Sequence, residues 1–270
     1  MLCTLGDLLL DVIVRLDGPI AEDTDTYGRT RVGAGGQAAN VAAWTAALGR
    51  HTRFVGKRAR DPTGRLVADE LRRHGVEVAG PEVAVGTGTV VSIATADGKR
   101  TMLTDRGVAL DFRPDELDLD WLAGCEQLHI PGYSLVRPPV RDTALAAAEL
   151  ARDAGIGLSV DLSSTSAIEE AGVDAVRELI LAVGPDTVFA NEDEAALVGE
   201  LETETLVVKR GARGCVVRRG GEERVCPAEP AEVVDTTGAG DAFAAGFLAD
   251  GPELALSLAA RCVATMGAMP

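Results

Sequence analysis

Residues 235–247 read DTTGAGDAFAAGF, and this stretch holds the side chains best placed to do chemistry. Gly238, Ala239 and Gly240 let a ligand approach the backbone closely, and they stand just before a run, 242–249, whose composition suits a helix. The first amides of a helix have no partner inside it, and with the helix dipole they make a site for an anion, most often a phosphate. Asp241 lies at that mouth. A carboxylate beside phosphate is repelled unless it has a task, and the obvious task is taking a proton from an attacking hydroxyl. GAGD alone fits equally well a plain helix start, with Asp as the cap and glycines as loop residues.

Other polar residues stand at suggestive places. Asp11 follows a Gly6-Asp7 break between two strand-like stretches, 2–5 and 8–14; a carboxylate can accept hydrogen bonds from two neighbouring hydroxyls. Gly35 and Gly36 precede Asn40, and an alanine-rich run, 41–48, reads as a helix stopped by Gly49. This segment contains GxGxxA, but residues 26–31 before it are polar rather than a buried strand, so a dinucleotide loop is disfavoured. Asp61, Pro62 and Gly64 read as a turn before an amphipathic helix over 66–74. Asn191 and Glu194, spaced i and i+3 after a strand over 187–190, share one helix face, whereas Glu192 and Asp193 read as charges complementing the helix dipole. His129, inside a short strand over 127–131, reads as a packed core histidine, and Lys209, at the end of a strand over 205–209, as a solvated lysine.

Taken together, Asp235, Thr236, Thr237, the small-residue turn, Asp241, Phe243 and Gly246 match the signature of the ribokinase-like (PfkB) carbohydrate kinases, and the chain resembles that family. The resemblance implies a three-layer α/β fold, with a mainly parallel sheet between helices and a small β lid built from about 12–32 and 87–108. It implies transfer of the γ-phosphate of ATP to a hydroxyl of a small sugar or sugar acid. Asp241 would be the base, and the amides of Gly238, Ala239, Gly240 and Asp241 the anion hole. Asp11, Gly35, Gly36, Asn40 and Arg106 would contact the sugar, although Val108 and Ala109 replace the small residue and Asn that often follow such an Arg-Gly pair. Asn191 and Glu194 match an NxxE motif that holds Mg2+ through its water shell, as oxygen ligands suit a hard, hydrated cation. Lys209, Gly211 and Gly214 of KRGARG resemble a loop flanking the nucleotide. Ala264 and Gly267, in a closing helix over 255–266 and its tail, would help enclose the adenine, incompletely because the chain ends early for the family. Asp235 and Thr237 would hold a monovalent cation such as K+.

Composition sets the outer bounds. At 270 residues and 46% apolar content the chain can bury one full core, and residues 1–270 are expected to form one domain. A net charge of −16 disfavours nucleic acid or an anionic membrane as partner. Five cysteines without CxxC spacing indicate neither zinc nor a disulfide framework, and with them a reduced, cytoplasmic setting is expected. Residues 87–104 alternate around Asp97-Gly98 as a hairpin does. Lid edges of this kind pair two copies in relatives, so a homodimer is expected. The rival readings are a nucleoside kinase of adenosine or pseudouridine type and a non-catalytic sugar or nucleotide sensor of the same fold. Aromatic residues make up 3% of the chain, leaving few rings to stack a base and favouring sugars.

Overall fold

Segments such as TLVVK have no polar alternation to offer solvent, so they must be covered on both faces, which is the condition of a central parallel strand. The structure, a computed structural model, describes residues 1–95 and 100–270. The first half contains β1 (Leu2–Leu5), β2 (Leu9–Leu16), β3 (Gly28–Gly35), α1 (Gln37–Ala47), β4 (Thr52–Val55), β5 (Arg58–Ala59), α2 (Pro62–Arg73), β6 (Glu77–Ala79), β7 (Glu82–Val83), β8 (Thr87–Ala94) and β9 (Arg100–Gly107). There follow β10 (Gln127–Pro131), α3 (Val140–Asp153), β11 (Gly157–Asp161), α4 (Thr165–Ala171), α5 (Val173–Val183), β12 (Thr187–Asn191) and α6 (Glu192–Val198). The chain closes with β13 (Thr205–Lys209), β14 (Cys215–Arg219), β15 (Glu222–Cys226), α7 (Ala239–Asp250) and α8 (Pro252–Val263).

A nine-stranded sheet runs in the order β15-β14-β13-β12-β11-β10-β1-β4-β6. Its strands are parallel from β13 to β6, and β14 and β15 add an antiparallel edge. Alternate residues of each strand feed opposite layers. Val188, Ala190, Leu206 and Val208 pack with α3 and α5, whereas Phe189 and Val207 pack with α1, α7 and α8. Helices thus cover both faces, giving the expected three layers. A second sheet, β3-β2-β8-β9, forms the lid, with β2 and β8 parallel at its centre. It reaches further than expected: β2 starts at Leu9 and β3 runs to Gly35. The Asp97-Gly98 turn lies outside the described residues, although β8 and β9 pair antiparallel as a hairpin requires.

Several boundaries move. α1 begins at Gln37, so Asn40 sits in its first turn instead of ahead of it. α2 begins at Pro62, capped by the Asp61 carboxylate, four residues before its apolar periodicity becomes visible. α8 spans Pro252–Val263, because Pro252 fits the first helical position and Gly251 ends α7.

Candidate active site

The C-terminal ends of β1, β10, β11, β12 and β13 open toward the lid, the usual place for ligands in open α/β sheets. A cavity of about 890 Å³ lies there. Leu9, Asp11, Val90 and Met102 of the lid line one part, and Thr236, Thr237, Gly238, Gly240 and Asp241 line another. α7 is held in place by an aromatic cluster: Phe247 meets Phe189 edge-on at 5.4 Å between ring centroids and stacks on Phe243 at 6.3 Å. Gly238, its N-cap, has φ 77°, and a Cβ there would lie 2.6 Å from the Ala268 backbone, so only glycine fits this bend. The Ala239 amide donates to the Thr236 carbonyl at 3.3 Å and that of Ala242 to Gly238 at 2.9 Å. Gly240 and Asp241, in the first turn of α7, both line the cavity. Gly238 lines it with them, and Ala239 does not.

Asp241 accepts a 2.7 Å hydrogen bond from Asn40 Nδ2. Burial pushes its pKa up to about 8, the negative Asp161 and Asp7 add to this, and the Asn40 bond and Lys209 oppose it. Lys209 corrects the sequence reading. Its side chain is half-buried at the cavity wall rather than free in solvent, and its ammonium donates to Asp161 Oδ2 at 2.5 Å from two strands away. Burial disfavours its charge, but Asp161 and Glu194 more than offset that and hold its pKa above the ordinary lysine value. A Cβ on Gly240 would lie 3.3 Å from Lys209 Nζ, so a fixed positive charge stands beside the helix mouth. Asp161 was not expected here; the only sequence signal is its place at the C-terminal end of a central strand. Its other oxygen accepts from the Ser163 amide at 2.9 Å.

Asn191 and Glu194 form a reciprocal capping box on α6: Asn191 Oδ1 accepts from the Glu194 amide, while Glu194 accepts from the Asn191 amide and Nδ2, each at 2.8 Å. Burial raises the Glu194 pKa, and Asp161 raises it further. Both residues line the cavity. Among the described residues no group of three or more His, Cys, Asp or Glu could hold a metal ion directly. The Asn191 and Glu194 oxygens already accept hydrogen bonds from one another's groups, so this donor set fits a cation that keeps its water shell better than a bare ion.

At the lid side, Asp11 carries a pKa raised to about 7 by burial, with Asp7 and Asp235 contributing. A Cβ on Gly35 would lie 2.1 Å from the Asp11 carboxyl carbon, so that glycine supports Asp11 without lining the cavity. Gly36, Asn40 and Arg106 do line it. Arg106 pairs with Asp7 and lies 3.6 Å over the Tyr133 ring, contacts that residue types alone did not reveal. Gly211 lines the cavity; Gly214, Ala264 and Gly267 do not. Gly214 packs against the Cys226 carbonyl, Ala264 caps α8, and the Gly267 amide donates to Asp235 Oδ2 at 3.1 Å. Asp235 Oδ1 accepts from both the amide and the hydroxyl of Thr237, so its carboxylate staples the loop. His129 is wholly buried, bonds Ser159 at 2.9 Å and has its pKa pushed down to about 4 by burial, as a core histidine should.

An open α/β sheet with a side-chain-poor helix mouth, an adjacent acid and a lid defines a phosphotransferase of the nucleotide-dependent kind. The model of the pfkB family carbohydrate kinases matches residues 1–253, and the chain belongs to that family. It is an ATP-dependent carbohydrate kinase. It is 30% identical to a probable fructokinase-4 of Arabidopsis thaliana, across 92% of this chain and 81% of that one. An ATP-dependent ribose-1-phosphate kinase of Halopiger xanaduensis is 32% identical, across 95% of this chain and 88% of its own length. The crystal structure of an adenosine kinase from Sinorhizobium meliloti superposes with a TM-score of 0.89 at 27% identity, covering 100% of this chain and 95% of that chain. Among the described residues no helix is long and apolar enough to cross a membrane.

Proposed function

We propose that the acceptor is a small neutral sugar, phosphorylated on a hydroxyl held between Asp241 and the α7 amides. The observation that carries this reading is the charge of the acceptor end. Asp7, Asp11 and Asp105 line it, and its nearest cation, Arg106, is already paired with Asp7. A sugar acid or a sugar phosphate would meet net negative charge there, whereas a polyol finds acceptors for its hydroxyls. Asp241 takes the hydroxyl proton, Asn40 orients the Asp241 carboxylate, and the Gly240 and Asp241 amides with Lys209 face the charge of the transferred group. ATP supplies the phosphoryl group. Asn191 and Glu194 would hold Mg2+ through water. A potassium ion at Asp235 and Thr237 would share a carboxylate that three protein donors already use.

The second reading, a nucleoside acceptor, is favoured by the apolar wall of Leu9, Val90, Leu110 and Val136 beside Tyr133. A cytoplasmic setting and a homodimer through the lid, where Val32 and Leu103 are exposed, complete the proposal. Rates with fructose, ribose, adenosine and ribose 1-phosphate test it. A neutral sugar should have the highest kcat/KM and ribose 1-phosphate the lowest. A preference for the phosphorylated sugar would overturn the charge argument, and a preference for adenosine would select the second reading.

A further inference from the structure

Asp61, with Pro62 and Gly64, reads as turn chemistry, and nothing in the phosphoryl-transfer site uses it. Its carboxylate nevertheless makes more hydrogen bonds than a helix cap needs. Oδ1 accepts from the Gly64 amide at 2.7 Å, which caps α2, and from the Thr87 hydroxyl at 2.7 Å. Oδ2 accepts from the amides of Gly86 and Thr87 at 3.0 and 3.1 Å. Thr87 is the first residue of β8, so this one side chain grips the root of a lid strand. Gly64 leaves room for the grip: a Cβ there would lie 2.7 Å from the Thr87 hydroxyl and 2.0 Å from the Ala59 carbonyl. Burial opposes the charge, but these donors hold the Asp61 pKa down to about 2.

The same helix holds the lid a second time. Glu70, near the other end of α2, accepts from the Ala34 amide at 2.9 Å. Ala34 precedes Gly35, against which the Asp11 carboxylate rests, and Gly33 is the register partner of Asp11 in the lid sheet. The remaining roots are tied to each other, because Arg106 at the end of β9 pairs with Asp7 just before β2. α2 itself is fixed to the body by Val67, Ala68 and Leu71, which pack with Ala38, Ala39 and Phe54.

We propose that Asp61 and Glu70 are positioning residues for the acceptor site: α2 is the bar to which two lid roots are fastened, and it sets where Asp11 stands over the cavity. The inference rests on the acceptor lying beneath the lid, as in the reading above. Asp61→Ser separates the two tasks of Asp61. Serine caps a helix as well as aspartate does, but its single short hydroxyl cannot also reach Gly86 and Thr87.

In the full chain, Asp61→Ser should speed amide exchange in β8 and β9 by at least about tenfold, because it loses three bonds to the lid root and one charge-assisted hydrogen bond alone carries about that weight. It should raise KM about tenfold for whichever of fructose, ribose and adenosine the wild type uses best. KM for ATP should stay within twofold. Glu70→Ala should give the same KM split from the opposite root. Thr87→Val removes one bond from the lid side and leaves α2 intact, so it carries the test if Asp61→Ser folds poorly. Unchanged lid exchange and acceptor KM in these variants would overturn the inference, as would an equal rise of both KM values. If the wild type turned over none of these acceptors, the proposed acceptor would fail while the exchange data still decided the role of α2.

Discussion

Asp241 is asked to be an anion in a place that disfavours one. Its folded pKa of about 8 stands above the model-compound 3.8, so between those values the folded chain binds a proton that the unfolded chain has released. Stability contributed by this group is present at pH 4 and declines as the pH rises toward 8. Asp241→Asn removes that dependence while keeping a hydrogen bond to Asn40. The ligand-free variant should therefore melt increasingly above the wild type as pH goes from 5 to 9, and turnover should fall by about 10² to 10⁴ with ATP binding retained. A melting difference that stayed flat across that range would mean the carboxylate is already well solvated. Asp241 was legible because its neighbours form a string; Lys209 and Asp161 were not, because their pairing exists only once β12 is laid between their strands. Lysine is normally a surface residue, and composition gives no hint that this one is half-buried beside a carboxylate.

At the scale of elements, the legible parts are those with one dominant force. β10, β11 and β13 have the bounds their apolar runs imply, since a strand covered on both faces has nowhere else to go. Helix starts were less legible, because the first turns of α1 and α2 are set by Gly36 and by Asp61-Pro62 rather than by periodicity. α7 holds a sharper case. Gly246 lies inside it, where helix propensity predicts that Gly246→Ala gains about 1 kcal/mol. Packing predicts the reverse: a Cβ there would lie 2.7 Å from Ala255 Cα and 2.8 Å from its amide nitrogen, backbone atoms of α8 that cannot swing aside. Gly246→Ala should lose about 1 to 3 kcal/mol in urea unfolding, the range for overpacking a core. Turnover should fall with it, because the same displacement tilts the α7 mouth. A stabilised variant would show that the α7–α8 contact gives way more easily than a helix gains from alanine.

For the whole molecule the governing quantity is charge. A chain at −16 repels itself at neutral pH, and after burial the crowding of Asp7, Asp11, Asp161, Glu194 and Asp241 on the cavity wall, with Lys209 already taken by Asp161, is part of what raises the pKa of Asp11, Glu194 and Asp241 there. Two consequences follow from screening and from specific binding, and they can be separated. At 0.01 M salt the screening length is about 30 Å, comparable to the molecule, and at 0.15 M it is about 8 Å. Adding NaCl over that range should raise the melting temperature of the ligand-free chain, by about 2 °C for each kcal/mol of relieved repulsion. MgCl2 at matched ionic strength should raise it further if, as proposed, a hydrated divalent cation beside Asn191 and Glu194 binds the folded chain and not the unfolded one. Glu194→Gln should abolish that magnesium increment and leave the sodium response intact. It keeps an oxygen for the Asn191 amide and gives up the second acceptor for Asn191 Nδ2 along with the charge, so the variant's own sodium response is the control for its fold. Equal responses to the two salts in the wild type would leave the acid wall without a cation to hold, and the role given to Asn191 and Glu194 would reduce to capping α6.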